Sequence, residues 1–184
     1  MSTPSTTSVP TGTWSVDPVH SSVAFGIKHL GIVTFRGKFK EFDGTITIGD
    51  DLASTTATGS VNVASIDTGD ANRDGHLQGP EFFDGENNPQ MTFQSTRIEP
   101  TGDRSFKVTG DLTIRGVTKP ATFDAEIGGT EVDAFGNQRV GLEVTGEINR
   151  KDFGITYDQA VSSGTFMLSD DVKLFLDLSA VRQS

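Results

Sequence analysis

The chain has 184 residues, enough for one domain with a sizeable core, and its 34% hydrophobic and 22% charged residues describe a globular protein rather than a disordered one. The formal net charge of −10 disfavours a nucleic-acid partner, which needs a cationic face, and also docking to anionic lipid unless a local basic patch overrides the total. The absence of cysteine excludes disulfides and thiolate chemistry, and no apolar run is long enough to span a bilayer as a helix.

Thirteen phenylalanines accompany one tryptophan and one tyrosine. Phenylalanine brings large apolar area without a polar tip, which suits an apolar interior, packed or hollow. Residues 1–12 are rich in Ser, Thr and Pro and lack both a basic n-region and an apolar h-region. They read as a disordered tail ahead of a single domain over residues 13–182. The missing secretory pattern predicts a cytoplasmic location unless a leader was removed earlier.

Period-two alternation starts at Trp14. In His20–His29, Val23, Phe25, Ile27 and His29 share one face, and Ser22, Ala24, Gly26 and Lys28 the other. Phe35, Gly37 and Phe39 then alternate with Arg36, Lys38 and Lys40, and two further strands carry Phe42, Gly44, Ile46 and Ile48, then Gly59, Val61 and Val63. Residues 67–93 break the pattern with Arg73-Asp74-Gly75-His76-Leu77 and Phe82-Phe83-Asp84. Asp70 is placed to cap a short helix there, and Gly79-Pro80 to stop it. Leu77, Phe82 and Phe83 are too apolar for a solvated loop. The stretch therefore reads either as a partly helical plug on a β structure or as a connector that finishes the core.

Alternation resumes at Met91 and Phe93, then along Phe106–Ile114, Phe123–Ile127, Val140–Ile148 and Val172–Leu178. Turns are predicted at Gly31, Gly49-Asp50-Asp51, Pro100–Asp103, Gly128-Gly129 and Phe135-Gly136-Asn137. The sum is about eight antiparallel strands, each with one apolar face. A closed barrel removes the exposed edges and buries that face; a two-sheet sandwich is the alternative. Glycines recur on the inward face at positions 37, 44, 59, 110 and 146. They mark barrel bending, or a lumen that admits a ligand close to the backbone.

Several pieces in order resemble the YceI-like family. They are Trp14-Ser15-Val16-Asp17-Pro18-Val19-His20-Ser21 with Phe25 and His29, Gly37-Lys38-Phe39, Ile66-Asp67-Thr68-Gly69, and the two landmarks of the central stretch. Pro89 with Phe93, Gly110–Pro120 and Asn149–Gly154 complete the match, which covers nearly the whole chain after the tail. The resemblance implies an all-β, extended lipocalin-like antiparallel barrel with a short helical insertion. It also implies non-catalytic binding, storage or transport of a long isoprenoid or similar lipid, with no cofactor, and a possible homodimer. The resemblance also implies that members often carry a secretory leader, which stands against the cytoplasmic location expected here.

The residues chosen on their own chemistry agree with that expectation. Phe25, Ile27, Phe35, Phe39, Val61, Met91, Phe93, Ile114, Leu142 and Val144 are lumen candidates, and Leu77, Phe82 and Phe83 would shape one mouth. His29 shares the apolar face and needs a partner, which Asp74, Arg73 or a ligand headgroup would supply. Arg73, Asp74 and His76 form the densest polar cluster, read either as headgroup recognition or lid latching, or as a structural ion pair. Arg115 and Lys119 read as shaping a hairpin, and Arg150, Lys151 and Asp152 as doing the same at another strand end.

Rival functions find less. His20 and His29 are an odd number of residues apart, so in one regular strand they face opposite ways about 30 Å apart and share no ion. There is no nucleophile elbow, phosphate-cradling glycine motif or cysteine nucleophile. The alternatives to a lipid carrier are a solidly packed stress-linked interaction protein and a metal-dependent or catalytic barrel.

Overall fold

Alternating residues become eleven strands in the structure, a computed structural model that describes residues 9–184. They are β1 (Gly12–Val16), β2 (Ser22–His29), β3 (Val33–Phe39), β4 (Phe42–Ile48), β5 (Thr56–Asn62) and β6 (Ile66–Asp67). After the helix α1 (Ala71–Leu77) come β7 (Gln90–Pro100), β8 (Ser105–Ile114), β9 (Val117–Val132), β10 (Gln138–Asn149) and β11 (Leu168–Arg182). All neighbours are antiparallel, and β1 pairs with both β4 and β11, which closes the ring.

Three staves of the ring are broken in two, so eleven segments make eight staves. Both β1 and β2 lie against β11; β3 and β4 lie against β2 and β1; β6 and β5 lie against β3 and β4. Two of the three breaks fall at capped 3-10 turns. Pro18 begins a 3-10 turn whose Val19 N–H is capped by the Asp17 carboxylate, so β2 starts at Ser22 rather than His20. A second such turn over Val63–Ser65 is capped by Asn62, which accepts from Ala64 N–H.

Two turn and tail expectations need correction. Gly128-Gly129 is not a turn: β9 runs through it for 16 residues. The register slips there, from Gly141 opposite Gly129 to Leu142 opposite Ile127, so the glycine pair forms a bulge. The chain reverses at Asp133–Asn137, around the expected Phe135-Gly136-Asn137 turn, where the Asp133 carboxylate accepts from the N–H groups of Phe135 and Asn137. The disordered tail expected over residues 1–12 lies outside the described residues for 1–8, but 9–12 are held. Trp14, fully buried, donates Nε1–H to the Pro10 carbonyl at 3.0 Å, Val9 packs on the same cluster, and Gly12 already belongs to β1.

Three of the five inward glycines have a function that alternation alone did not show. A Cβ on Gly37 would lie 2.5 Å from Phe25 Cζ, one on Gly110 2.5 Å from Phe93 Cζ, and one on Gly146 2.5 Å from Phe123 Cδ1. In each case a phenylalanine of the adjoining strand lays its ring over the bare backbone, with Phe25 opposite Gly37 and Phe123 opposite Gly146 in register. The rings line the wall instead of filling the axis. Gly110→Ala is therefore expected to destabilise the barrel by about 1–3 kcal/mol, because its Cβ would also meet the Gln94 carbonyl at 2.4 Å. Gly141→Ala, with nothing within 4 Å, serves as the near-neutral control in urea unfolding.

One ionic network secures the first break. Arg139 donates to Asp17 at 2.9 Å and to Asp133 at 2.7 Å, and His20 Nδ1 lies 2.7 Å from Asp17. The His20 and Arg139 hydrogen bonds hold the Asp17 carboxyl at about 2, and Arg139 holds Asp133 well below the usual carboxylate range. Because the Asp17 value lies below the unfolded value of about 3.9, its contribution is whole above that pH and fades as pH falls towards 2. The stability difference between wild type and Arg139→Gln in urea unfolding is expected to shrink as the pH is lowered through that window.

Candidate functional site: the barrel lumen

Two apolar clusters mark the two ends of the barrel. One surrounds Trp14, Ile127, Val140 and Ala180, joined by Val9, Ile46, Ile48, Phe106 and Leu142. The other surrounds Phe82, Ile114, Phe123, Phe153 and Ile155, joined by Leu77, Phe83 and Tyr157. Between them runs a cavity of about 1050 Å³, from the β4–β5 loop at Asp50, Asp51 and Leu52 to His29, Arg73 and Met167. Its wall is overwhelmingly apolar.

Sixteen of the residues singled out from the sequence line this one cavity; Asp74, bonded to Thr68, does not. Phe25, Ile27, Phe35, Phe39, Val61, Met91, Phe93, Ile114, Leu142 and Val144 form the wall on six strands, while Leu77, Phe82 and Phe83 reach it from the insertion. The predicted helix is present: Asp70 accepts from Arg73 N–H at 2.9 Å, and the helix ends before Gly79-Pro80. Phe83 meets Phe39 edge to face at 6.0 Å, so the insertion is a plug packed on the barrel end.

The polar cluster is arranged differently from a simple ion pair. Thr68 stands between its members: its Oγ1–H donates to Asp74 at 2.5 Å and its Oγ1 accepts from Arg73 Nε at 2.9 Å. Arg73 also donates to the Thr68 carbonyl at 2.8 Å, and its guanidinium lies 4.1 Å above the Phe35 ring. Among the described residues Arg73 has no carboxylate partner within ion-pair distance. His76 contacts Glu81, and its ring stands nearly perpendicular to those of Phe82 and Tyr157 at 5.0 and 5.3 Å. His29 is half-buried on the wall; Arg73 and Asp74, its expected partners, are both engaged with Thr68.

Arg115 shapes its hairpin as expected: it and Gly116, both left-handed (φ 53 and 72), form the two-residue turn between Ile114 and Val117. Its side chain does more, donating to the Pro80 and Gly154 carbonyls, both at 2.7 Å, and tying plug to barrel. Arg150 is more than a strand-end residue: it is buried and donates to the carbonyls of Ser169, Ile155 and Tyr157, besides pairing with Asp158 at 3.1 Å. It thereby folds residues 155–169 across the plug end. Sequence reasoning missed this segment. Its one signal was Tyr157, the chain's single tyrosine, in a stretch without alternation. Among the described residues no three or more His, Asp or Glu side chains are grouped to hold a metal ion.

Eight closed staves around an apolar lumen, capped by a short helical plug, define a lipocalin-like β-barrel. The chain belongs to the YceI-like family: the YceI-like domain model matches residues 14–180. A UPF0312 protein of Serratia proteamaculans is 40% identical over 164 residues, 89% of this chain and 82% of the relative. The crystal structure of BcnA from Burkholderia cenocepacia aligns at 26% identity with a TM-score of 0.78, covering 89% of this chain and 98% of BcnA. A polyisoprenoid-binding domain from Saccharophagus degradans, implicated in plant cell wall breakdown, shares the fold at 15% identity, TM-score 0.71, over 92% of this chain and 98% of its own.

Proposed function

We propose that the protein binds, and thereby stores or carries, a long-chain isoprenoid or related amphipathic lipid in its lumen, without catalysing a reaction. The observation that carries this reading is the hollow itself: about 1050 Å³ of apolar-walled space that the phenylalanine-over-glycine pairs keep open. The polyisoprenoid-binding domain that shares the fold supports the ligand class.

Magnitudes agree with a long chain. At about 30 Å³ for a water-sized group, a hollow of about 1050 Å³ corresponds to on the order of 35 such groups. At about 0.8 kcal/mol per methylene taken from water, that occupancy corresponds to roughly 28 kcal/mol. Non-covalent affinities saturate near 18–21 kcal/mol, so straightening and immobilising the chain absorbs a large share. The drive is ample even so. At the plug end, Arg73 and His76 supply the polar groups that would face a headgroup. The test is a titration with polyprenols and polyprenyl phosphates against a bound environment-sensitive apolar probe. Saturable one-to-one displacement is expected, and absence of uptake with any chain length would promote a solidly packed interaction protein instead.

A further inference from the structure

We propose that the plug-end rim is a membrane-docking surface for bilayers containing anionic lipid, placing the lumen's mouth against the leaflet. The docking is argued from surface residues; its purpose rests on the lipid-carrier reading.

Apolar side chains are exposed there in a cluster. Ile32 is 79% and Val33 52% exposed at the β2–β3 turn, and Phe166 is 61% exposed on a neighbouring tip. That tip is a small hairpin in which Ala160 pairs with Phe166 and Val161 N–H donates to the Thr165 carbonyl at 2.9 Å. The two tips lie side by side because Leu30 N–H donates to the Met167 carbonyl at 2.9 Å and His29 pairs with Leu168. Val33, His29, Met167 and Leu168 also line the cavity, so the exposed apolar tips are continuous with the lumen wall. Exposed apolar tips on the rim of an apolar cavity are what a bilayer interface accommodates.

Charge selects the surface. Residues 18–40 contain four Lys or Arg and no Asp or Glu, in a chain whose net charge is −10. Lys28 and Arg36 are exposed on the outer face beside the tip, and Lys173 on β11 shares the register position of Gly26 with Arg36. Arg36 lies 4.6 Å over the Phe175 ring, which holds it along the sheet. Three acids border this collar: Glu147, opposite Lys173 on β10, and Asp170 and Asp171 at the start of β11, where Asp170 is paired with Lys151 at 2.9 Å. A basic collar behind apolar tips matches an anionic headgroup layer over an apolar interior, and repulsion from the acidic remainder of the barrel orients the approach.

Flotation of the full chain with phosphatidylcholine vesicles, with and without phosphatidylglycerol, tests this. Wild type is expected to float with phosphatidylglycerol vesicles and to detach as salt rises. The Ile32→Ser/Phe166→Ser variant is expected to bind about tenfold or more weakly, and Lys28→Gln/Lys173→Gln to lose the preference for phosphatidylglycerol. Wild type that fails to float, or a tip variant that floats equally well, overturns the proposal. So does sedimentation showing that the tip variant dissociates a dimer, because the patch would then be covered by a second copy. Isoprenoid uptake from detergent, measured in parallel, separates the two readings: a tip variant that loads normally but no longer floats supports docking as a distinct property. Wild type that floats but never loads removes the carrier reading and leaves the docking surface.

Discussion

Val144→Trp is expected to leave the barrel folded and to abolish lipid uptake. Val144 is half-buried on β10, opposite Ala125 and Leu176, with its side chain on the lumen wall. In a close-packed core an added indole would cost about 1–3 kcal/mol through strained rotamers and displaced backbone. In a lumen of about 1050 Å³ it has room, and occupies space that the ligand chain needs. The unfolding free energy should change by less than about 1 kcal/mol, while affinity for a polyprenyl ligand falls by about a hundredfold or more. Urea unfolding and a binding titration on the same preparation decide it. A variant that is strongly destabilised yet still binds would place the ligand elsewhere and describe this interior as packed.

The second large effect concerns the plug end. Arg150 is 4% exposed, and its side chain holds three backbone carbonyls and the Asp158 carboxylate, itself 10% exposed. Arg150→Met keeps much of the volume but leaves those acceptors and one nearly buried charge without their donor. Removing one partner of such a pair typically costs about 3–5 kcal/mol, far more than the pair's net contribution. Residues 155–169 should therefore loosen, which exchange of the Leu168 N–H, bonded to Asp158 at 3.1 Å, would report. Adding Asp158→Asn should recover part of the loss, because it removes the orphaned charge. A change below about 1 kcal/mol for Arg150→Met alone would contradict this account of the segment.

Much of this architecture was legible because a half-buried strand writes itself with period two. Val140, Leu142, Val144 and Ile148 fall on one face in the sequence and on one wall in the barrel. The helix start was legible for a similar local reason, since an Asp at a free N-terminus satisfies a donor three residues on. Features that depend on register were not. Gly37 and Phe25 are distant in sequence, and only their pairing shows that one exists to receive the other's ring. The Gly128-Gly129 bulge has the composition of a turn, and what distinguishes it is the uninterrupted partner strand. The hairpin role of Arg115 was legible, but its reach and that of Arg150 were not, because a sequence does not show which remote carbonyls a long side chain will meet. Thr68, which joins Arg73 to Asp74, was hidden behind the more conspicuous charges.

The central claim is that this hollow interior takes up one isoprenoid chain. Native mass spectrometry of the protein, before and after exposure to polyprenyl lipids and followed by organic extraction, tests it most directly. The account predicts a one-to-one adduct whose extracted mass is that of an isoprenoid, lost in Val144→Trp. Bare protein that refuses every added polyprenyl compound would contradict it.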